Sequence, residues 1–426
     1  MISLKNLFGV AILASFSIDF VSLAAAAADA KIEWEIENRF RYFKRASDFR
    51  EIVKVYNKLK ETSQRPTALQ LEQALEKATI EEGFNKIAHA DIRNGWAASV
   101  FLHTCGRGSH HNHASCKLEN GDDYLNPQKT NLIFRVSGIS GGACEWLVDG
   151  AVVDTKPCNA DATAKNVTFD QPHVLTVRAT GQATASANIV LKDALILSFG
   201  DSFSAGEGNP EQPVAFVADS YNNYNESSAI NGKVQYFPVR EDISTLQPRD
   251  PKFFGDLAAS WTNTQCHRSL YSQHTKAALH YALEHPHVSV TYANYSCTGA
   301  EVYEGILNAW WARDDVSDTF FDDAPQIVKA LRDLCKNGAP FSKTEWTNGD
   351  REDGDFNSKA AKIPSCDALI SKKISAILLS VGGNDVGFAR MISNSAVDAP
   401  NVFTDARPWV YGLWRKATNP QTFTLE

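Results

Sequence analysis

The feature that most constrains the fold is a short apolar run, Ala194 to Ser198, that leads directly into the segment Phe-Gly-Asp-Ser-Phe-Ser-Ala-Gly-Glu-Gly-Asn-Pro. An uninterrupted apolar run of this length is typical of a strand buried in a parallel sheet. A serine at the sharp turn after such a strand is well placed to act as a nucleophile, and Gly200 and Gly206 leave room for a substrate beside it. The pattern predicts a nucleophilic Ser202 at the carboxyl end of a buried strand.

The same arrangement occurs twice more along the chain. The block Ser296-Cys-Thr-Gly-Ala300 follows the strand-like residues Val288 to Tyr295, and the block Gly382-Gly-Asn-Asp385 follows the strand-like residues Ile374 to Val381. Helical patterns at Ser269–Glu284 and Pro325–Cys335 alternate with these runs. Alternating strands and helices predict right-handed crossovers and a parallel sheet, with all three blocks at its carboxyl edge.

These three ordered blocks, beginning with Gly200-Asp-Ser-Phe203, resemble the motifs of the SGNH or GDSL serine hydrolases. The segment Cys266-His-Arg-Ser269, together with the Gly-Glu-Gly-Asn-Pro tail of the first block, is most similar to the secreted bacterial esterases and lipases of that family. The resemblance covers roughly residues 195–390. It implies an α/β fold with a flavodoxin-like parallel sheet and helices on both faces, here incomplete at the C-terminus.

The resemblance also implies the roles of the site residues. Ser202 would attack the ester carbonyl, and the oxyanion hole would consist of the backbone N–H groups of Ser202 and Gly299 and the side-chain amide of Asn384. Such fixed donors stabilise the charge that develops on the attacked carbonyl oxygen. We expect Asp201 and Asp385 to orient loops through backbone hydrogen bonds. No metal and no organic cofactor is expected.

One element of the family pattern is missing. The family's catalytic base is a histidine in an Asp-x-x-His block after the asparagine block, but no histidine follows His287 in this chain. The favoured interpretation is that the sequence is a fragment of a longer reading frame. The alternatives are a complete chain that has lost catalysis but kept binding, and recruitment of an upstream histidine, namely His267, His274, His280, His285 or His287.

The N-terminus has the pattern of an export signal over residues 1–28. Lys5 precedes an apolar stretch, Leu7 to Ile18, that is too short to span a bilayer, and Ala24 to Ala30 offers small-residue cleavage sites. The alternatives are an uncleaved anchor and a helix of the mature protein. No second apolar segment of spanning length follows, so we expect a secreted or periplasmic protein with no transmembrane segment after signal removal.

The eight cysteines suit an oxidising compartment, where disulfides persist. Sequence alone does not choose among their connectivities. Their neighbouring positions suggest four pairs: Cys105 with Cys116, Cys144 with Cys158, Cys266 with Cys297, and Cys335 with Cys366. The resemblance to secreted esterases favours the pair Cys266–Cys297. A zinc site is the alternative for Cys105, Cys116 and the nearby His103, His110, His111 and His113, although their spacing fits no regular zinc module.

Four regions follow from these patterns. After the signal, residues 29–128 are expected to be helical, with an amphipathic helix within Glu37–Glu61 and a capping box at Thr67 and Gln70. Short alternating runs predict a β-sandwich, similar to immunoglobulin-like modules, over residues 129–192. Residues 193–426 would form the hydrolase domain. Within it, the polar stretch Glu211–Thr264 is either a substrate-pocket insertion or a solvated loop.

Charge narrows the range of partners. The net charge of −8 argues against a nucleic-acid ligand, because binding of nucleic acid requires concentrated Lys and Arg.

Taken together, these patterns predict an exported serine esterase or lipase acting on a small-molecule, lipid or acylated-glycan ester. The alternatives are an inert SGNH-like binding or adhesion protein that engages a surface glycan through its β-sandwich, and an acyltransferase that uses the same residues. The oligomeric state is left open.

Overall fold

The computed structural model describes residues 30–81, 95–107, 113–139, 141–179, 184–212, 259–308, 324–335 and 373–386. Within these ranges the protein is mixed α/β, with three sheets and few helices. The predicted signal peptide, most of the stretch 211–264 and the part of the predicted hydrolase domain beyond residue 386 lie outside the described residues. No described helix has the length and apolar character needed to cross a membrane.

The N-terminal region is not helical throughout, unlike the expectation for residues 29–128. It begins with strand β1 (Lys31–Ile36), followed by helices α1 (Ala46–Lys60) and α2 (Ala68–Glu81). Residues 37–45 are kept out of α1 because they run beside a strand of the parallel sheet, where the N–H of Arg41 donates to the carbonyl of Val290 (3.0 Å). Their aromatic side chains enter the core from this irregular segment rather than from a helix.

The predicted capping box at the start of α2 is present. The N–H of Thr67 donates to Gln70 Oε1 (2.8 Å), and the N–H of Gln70 donates to Thr67 Oγ1 (3.2 Å). This reciprocal pair satisfies backbone donors that have no partner within the first turn of a helix.

Two antiparallel sheets pack around one core. Their remaining strands are β2 (Lys129–Ser137), β3 (Ala143–Val148), β4 (Ala151–Pro157), β5 (Ala162–Thr168), β6 (Pro172–Ala179) and β7 (Thr184–Val190). One sheet has the order β1-β2-β5 and the other β4-β3-β6-β7. Phe134 of the first sheet meets Trp146 of the second edge to face, with ring centroids 5.1 Å apart. The sandwich therefore uses a strand, β1, that lies far outside the predicted boundaries 129–192.

The third sheet is parallel. It consists of β8 (Lys192–Gly200), β9 (Val288–Asn294) and β10 (Ile374–Ser380) in the order β10-β8-β9, accompanied by helices α3 (Ser202–Ala205), α4 (Gln273–Glu284) and α5 (Gln326–Leu334). Residues 194–200 of β8 are all buried, which accounts for the uninterrupted apolar run in the sequence. The three predicted strands therefore lie in one sheet, with β8 paired to β10 on one side and to β9 on the other.

Three of the four suggested cysteine pairs are disulfides: Cys105–Cys116, Cys144–Cys158 and Cys266–Cys297. Because Cys105 and Cys116 are bonded to each other, neither sulfur is available as a thiolate ligand for the alternative zinc site. The pairing of Cys335 with Cys366 remains a prediction because Cys366 lies outside the described residues.

The Cys144–Cys158 bridge should hold β3 within the sandwich. It closes a separation of 14 residues, and a loop of this size is worth about 3 kcal/mol. We expect the double variant Cys144→Ala/Cys158→Ala to lose about 100-fold in amide exchange protection across β3 and β6. The variant Cys105→Ala/Cys116→Ala, which removes a bridge elsewhere, should leave that protection unchanged. Equal loss of sandwich protection in both variants would contradict the assignment.

Candidate active site

The turn that carries Ser202 is fixed by Gly200, the last residue of β8. Its φ is +140°, and a Cβ at this position would lie 1.9 Å from the carbonyl oxygen of Ser380. Asp201 then caps the short helix α3, its Oδ1 accepting from the N–H of Phe203 (3.0 Å). Ser202 is the first residue of α3 and is partly exposed. The strand-to-helix turn predicted for the nucleophile is therefore present, and only glycine fits at its start.

A buried glutamine holds the same glycine from the other side. Gln326, at the start of α5, accepts from the N–H of Gly200 with Oε1 (2.9 Å) and donates to the carbonyl of Gly200 with Nε2 (2.8 Å). Gln326 is only 2 % exposed. This two-point contact satisfies both backbone groups of Gly200 at the point where β8 leaves the sheet.

The second block lies against the first. The N–H of Cys297 donates to the carbonyl of Gly200 (3.0 Å), and the N–H of Tyr295 donates to Ser198 (2.8 Å). Gly299, two residues after Cys297, has φ +75° and is partly exposed. The backbone of the second block is thus anchored to the same strand end that carries Ser202.

The third block contacts both of the others. The carbonyl of Ser380, at the end of β10 and two residues before this block, accepts from the N–H of Asp201 (3.2 Å) and from Ser204 Oγ (2.6 Å). Within the block, the backbone N–H of Gly383 donates to the carboxylate of Asp201. Asn384 Nδ2 donates to the carbonyl of Ala300 (3.0 Å), next to Gly299. An amide side chain has two N–H groups, and the second one of Asn384 has no partner among the described residues. Hydrogen bonds therefore connect all three predicted blocks.

The two aspartates of these blocks orient loops, as the sequence suggests. Asp201 accepts the backbone N–H of Phe203, and Asp385 accepts the N–H of Val302 (3.1 Å), two residues after the second block. Burial raises the pKa of Asp201, and backbone hydrogen bonds from residues that include Gly383 partly offset this. Asp201 thereby joins the first block to the third.

None of the upstream histidines within the described ranges is hydrogen-bonded to Ser202. Their contacts lie elsewhere: Glu207 for His267, Ser198 for His274, the carbonyl of Pro66 for His280, the carbonyl of Tyr281 for His285, and the ring of Trp34 for His287. Burial lowers the pKa of His274, which favours its neutral form. The structure thus gives no support to recruitment of these side chains as the base.

Two acidic residues, one in the tail of the first block and one directly after it, were not among the predicted site residues. Glu207 contacts His267 and Thr298, and Glu211 is completely buried. Glu211 accepts from the N–H of Thr262 (2.9 Å), the hydroxyl of Thr262 (2.6 Å) and the N–H of Leu270 (2.6 Å). The only signal in the sequence was the presence of these two acidic side chains in and directly after a tail of small and polar residues.

The chain matches no protein-family model, no curated protein and no solved structure. Within the described ranges, no group of three or more His, Cys, Asp and Glu side chains is arranged to hold a metal ion. The interpretation of the site therefore rests on its residues and their geometry.

Glu211 should make stability depend on pH. Burial raises its pKa from 4.5 to about 7, against the effect of its hydrogen bonds. The folded state therefore retains a proton that the unfolded state releases, and this contribution to stability is full below pH 4.5 and lost as the pH rises through about 7. We expect the urea midpoint to fall between pH 5 and pH 8.

The variant Glu211→Gln isolates this contribution. Its midpoint should be lower overall, because the amide nitrogen cannot accept the N–H of Thr262, but it should fall less steeply with pH than that of the parent. Asp48 and Asp333, whose pKa values burial raises to about 6, contribute equally to both proteins. Glu33→Gln, a substitution at an exposed position of β1, serves as the control. An identical pH dependence in Glu211→Gln and the parent would contradict the role assigned to Glu211.

Proposed function

We propose that this chain belongs to an exported serine hydrolase of the SGNH type that cleaves carboxylic esters through an acyl-Ser202 intermediate. The supporting observation is the meeting of three blocks, distant in sequence, at one end of a parallel sheet. The contacts Cys297–Gly200, Asp201–Gly383 and Asn384–Ala300 join them. Ligands of open α/β sheets bind at this edge of the strands.

The proposed reaction has two half-steps. Ser202 Oγ forms a bond to the ester carbonyl carbon while its proton passes to a base, and collapse of the tetrahedral intermediate expels the alcohol, which takes up that proton. Water then forms a bond to the acyl carbon while one of its protons passes to the base, and the bond to Ser202 Oγ breaks as that oxygen takes up the proton, which releases the carboxylic acid. In both half-steps, the N–H groups of Ser202 and Gly299 and the second amide N–H of Asn384, which does not bond to Ala300, would donate to the oxyanion.

The resemblance assigns the base to a histidine of an Asp-x-x-His block. No histidine follows His287 in this sequence, so we propose the activity for a gene product that carries such a block. An in-frame Asp-x-x-His beyond codon 426 would support this assignment. A stop codon there would favour the binding or adhesion alternative.

Export agrees with the disulfides and with the lack of a spanning helix among the described residues. We propose secretion or delivery to the periplasm. The substrate class is a carboxylic ester of a small molecule, a lipid or an acylated glycan.

Removal of the nucleophile gives the first functional test. The complete gene product should hydrolyse short p-nitrophenyl esters, and Ser202→Ala should reduce turnover to the uncatalysed background because no acyl-enzyme can form. Release of p-nitrophenol measures this. Ser186→Ala, on strand β7 of the sandwich, is the matched control and should retain full activity. Unchanged turnover in Ser202→Ala would refute Ser202 as the nucleophile.

Asn384 gives the second test. Asn384→Ala should lower kcat about 100- to 1,000-fold, the usual effect of losing one oxyanion donor, with a small change in KM. Steady-state kinetics with the same esters measure both constants. Asn188→Ala, at an exposed position of β7, is the control. A drop in kcat of less than tenfold would show that Asn384 only supports the loop through Ala300.

A further inference from the structure

Glu207 stands in a fixed relation to the proposed nucleophile. The N–H groups of Gly206 and Glu207 both donate to the carbonyl of Ser202 (2.8 and 3.1 Å) and so close the turn after α3. The carbonyl of Glu207 in turn accepts from Trp261 Nε1 (3.0 Å). The backbone of Glu207 cannot shift without disturbing the turn that carries Ser202.

The carboxylate of Glu207 reaches two other segments. Oε1 pairs with His267 Nδ1 (3.1 Å), and Oε2 accepts from the hydroxyl of Thr298. Thr298 directly precedes Gly299 in the second block, and its N–H donates to the carbonyl of Cys266 (3.2 Å). One side chain thus joins the first block to the residue before a proposed oxyanion donor.

The segment around His267 is itself rigidly held. Its neighbour Cys266 is bonded to Cys297 of the second block, and the imidazole stacks on Trp261 with ring centroids 4.3 Å apart. The backbone of His267 has φ +49°, a conformation in which non-glycine residues are uncommon. The imidazole is therefore presented to Glu207 by a constrained loop that is covalently tied to the second block.

We propose that Glu207 is a positioning residue, which sets the place of the Gly299 amide relative to Ser202 by clamping Thr298 and His267 onto the nucleophile turn. This proposal rests on the serine-hydrolase function proposed above. It concerns neither the nucleophile nor the three oxyanion donors.

The surroundings of Glu207 set it apart from a solvated surface ion pair. Its side chain is only 33 % exposed and that of His267 only 13 %. Burial would raise the pKa of Glu207, but the hydrogen bonds from His267 and Thr298 outweigh it and hold this pKa below the usual range. The carboxylate is therefore ionised at neutral pH and accepts from both neighbours. Exposed ion pairs of the ordinary kind contribute little and fix no geometry.

The test uses the complete gene product and two independent readouts. Glu207→Ala should lower kcat for p-nitrophenyl acetate about 100-fold with little change in KM, because a small misplacement of a reacting group has an effect of this size. Amide exchange at residues 297–300 should accelerate about tenfold or more in the same variant, since the clamp on Thr298 is lost. The control Glu284→Gln removes a carboxylate that pairs with Arg65 and His280. It should change neither readout.

A second pair of variants separates positioning from direct catalysis. His267→Asn keeps an N–H donor for Glu207 and tolerates positive φ, so it should retain most of the activity. His267→Ala should lose activity and exchange protection together. Loss of activity in both variants, with protection unchanged, would overturn the proposal in favour of His267 as a catalytic base.

The readouts also distinguish failure of this proposal from failure of the proposed function. If the parent protein hydrolyses no ester, accelerated exchange in Glu207→Ala would still support the clamp, while the serine-hydrolase assignment would fall. If the parent is active, accelerated exchange with unchanged kcat would overturn the positioning role. Unchanged exchange in Glu207→Ala would overturn it in either case.

Discussion

The arrangement of the site depends on the backbone of Gly200. Its N–H and carbonyl are both engaged by Gln326, its carbonyl also accepts the N–H of Cys297, and the space of its missing Cβ is taken by the carbonyl of Ser380. These contacts come from α5, from the segment that follows β9 and from the end of β10, so three separate parts of the chain meet at the last residue of β8. Because Ser202 lies only two residues further along, its position follows from these contacts. Any side chain at position 200 would push the strand ends apart.

Beneath this edge, a buried polar network supports the second block. Arg268, 1 % exposed, donates to the carbonyls of Ser296 (2.8 Å) and Asn294, and Tyr295 donates to Asp333 (2.9 Å). Burial lowers the pKa of Arg268 to about 10 and raises the pKa of Asp333 to about 6. Burying such groups is costly, and replacing buried charged groups by apolar residues of similar volume is often neutral or stabilising in proteins. The network fixes the path of the backbone between β9 and Gly299, because hydrogen bonds to carbonyls are directional and apolar contacts are not.

The sequence predicts the parallel sheet because β8 and β10 contain continuous apolar runs and β9 is rich in strand-forming residues. It predicts the α2 cap because Thr67 and Gln70 interact locally. It does not reveal β1, whose Lys31, Glu33 and Glu35 alternate with apolar residues over only six positions. The clamps formed by Gln326 and Glu207 are also not predictable. Their partners lie 126 residues away for Gln326 and 60 and 91 for Glu207, and nothing local in the sequence distinguishes these side chains from ordinary polar ones.

The path of the N-terminal segment shows that the sandwich is joined to the parallel sheet and is not a separate module formed by residues 129–192 alone. Strand β1 completes the sheet β1-β2-β5, with Ile36 buried in its core, and residues 37–45 then pass directly to β9, where Phe40 pairs with Val290. The N–H of Ile36 also donates to the carbonyl of Pro286 (3.0 Å). At the other end, only Leu191 separates β7 from β8. A fragment starting at residue 129 would lack β1 and expose the core residues it covers. The sandwich therefore needs residues 31–36 to be complete, and those residues connect it to the sheet that carries the proposed site.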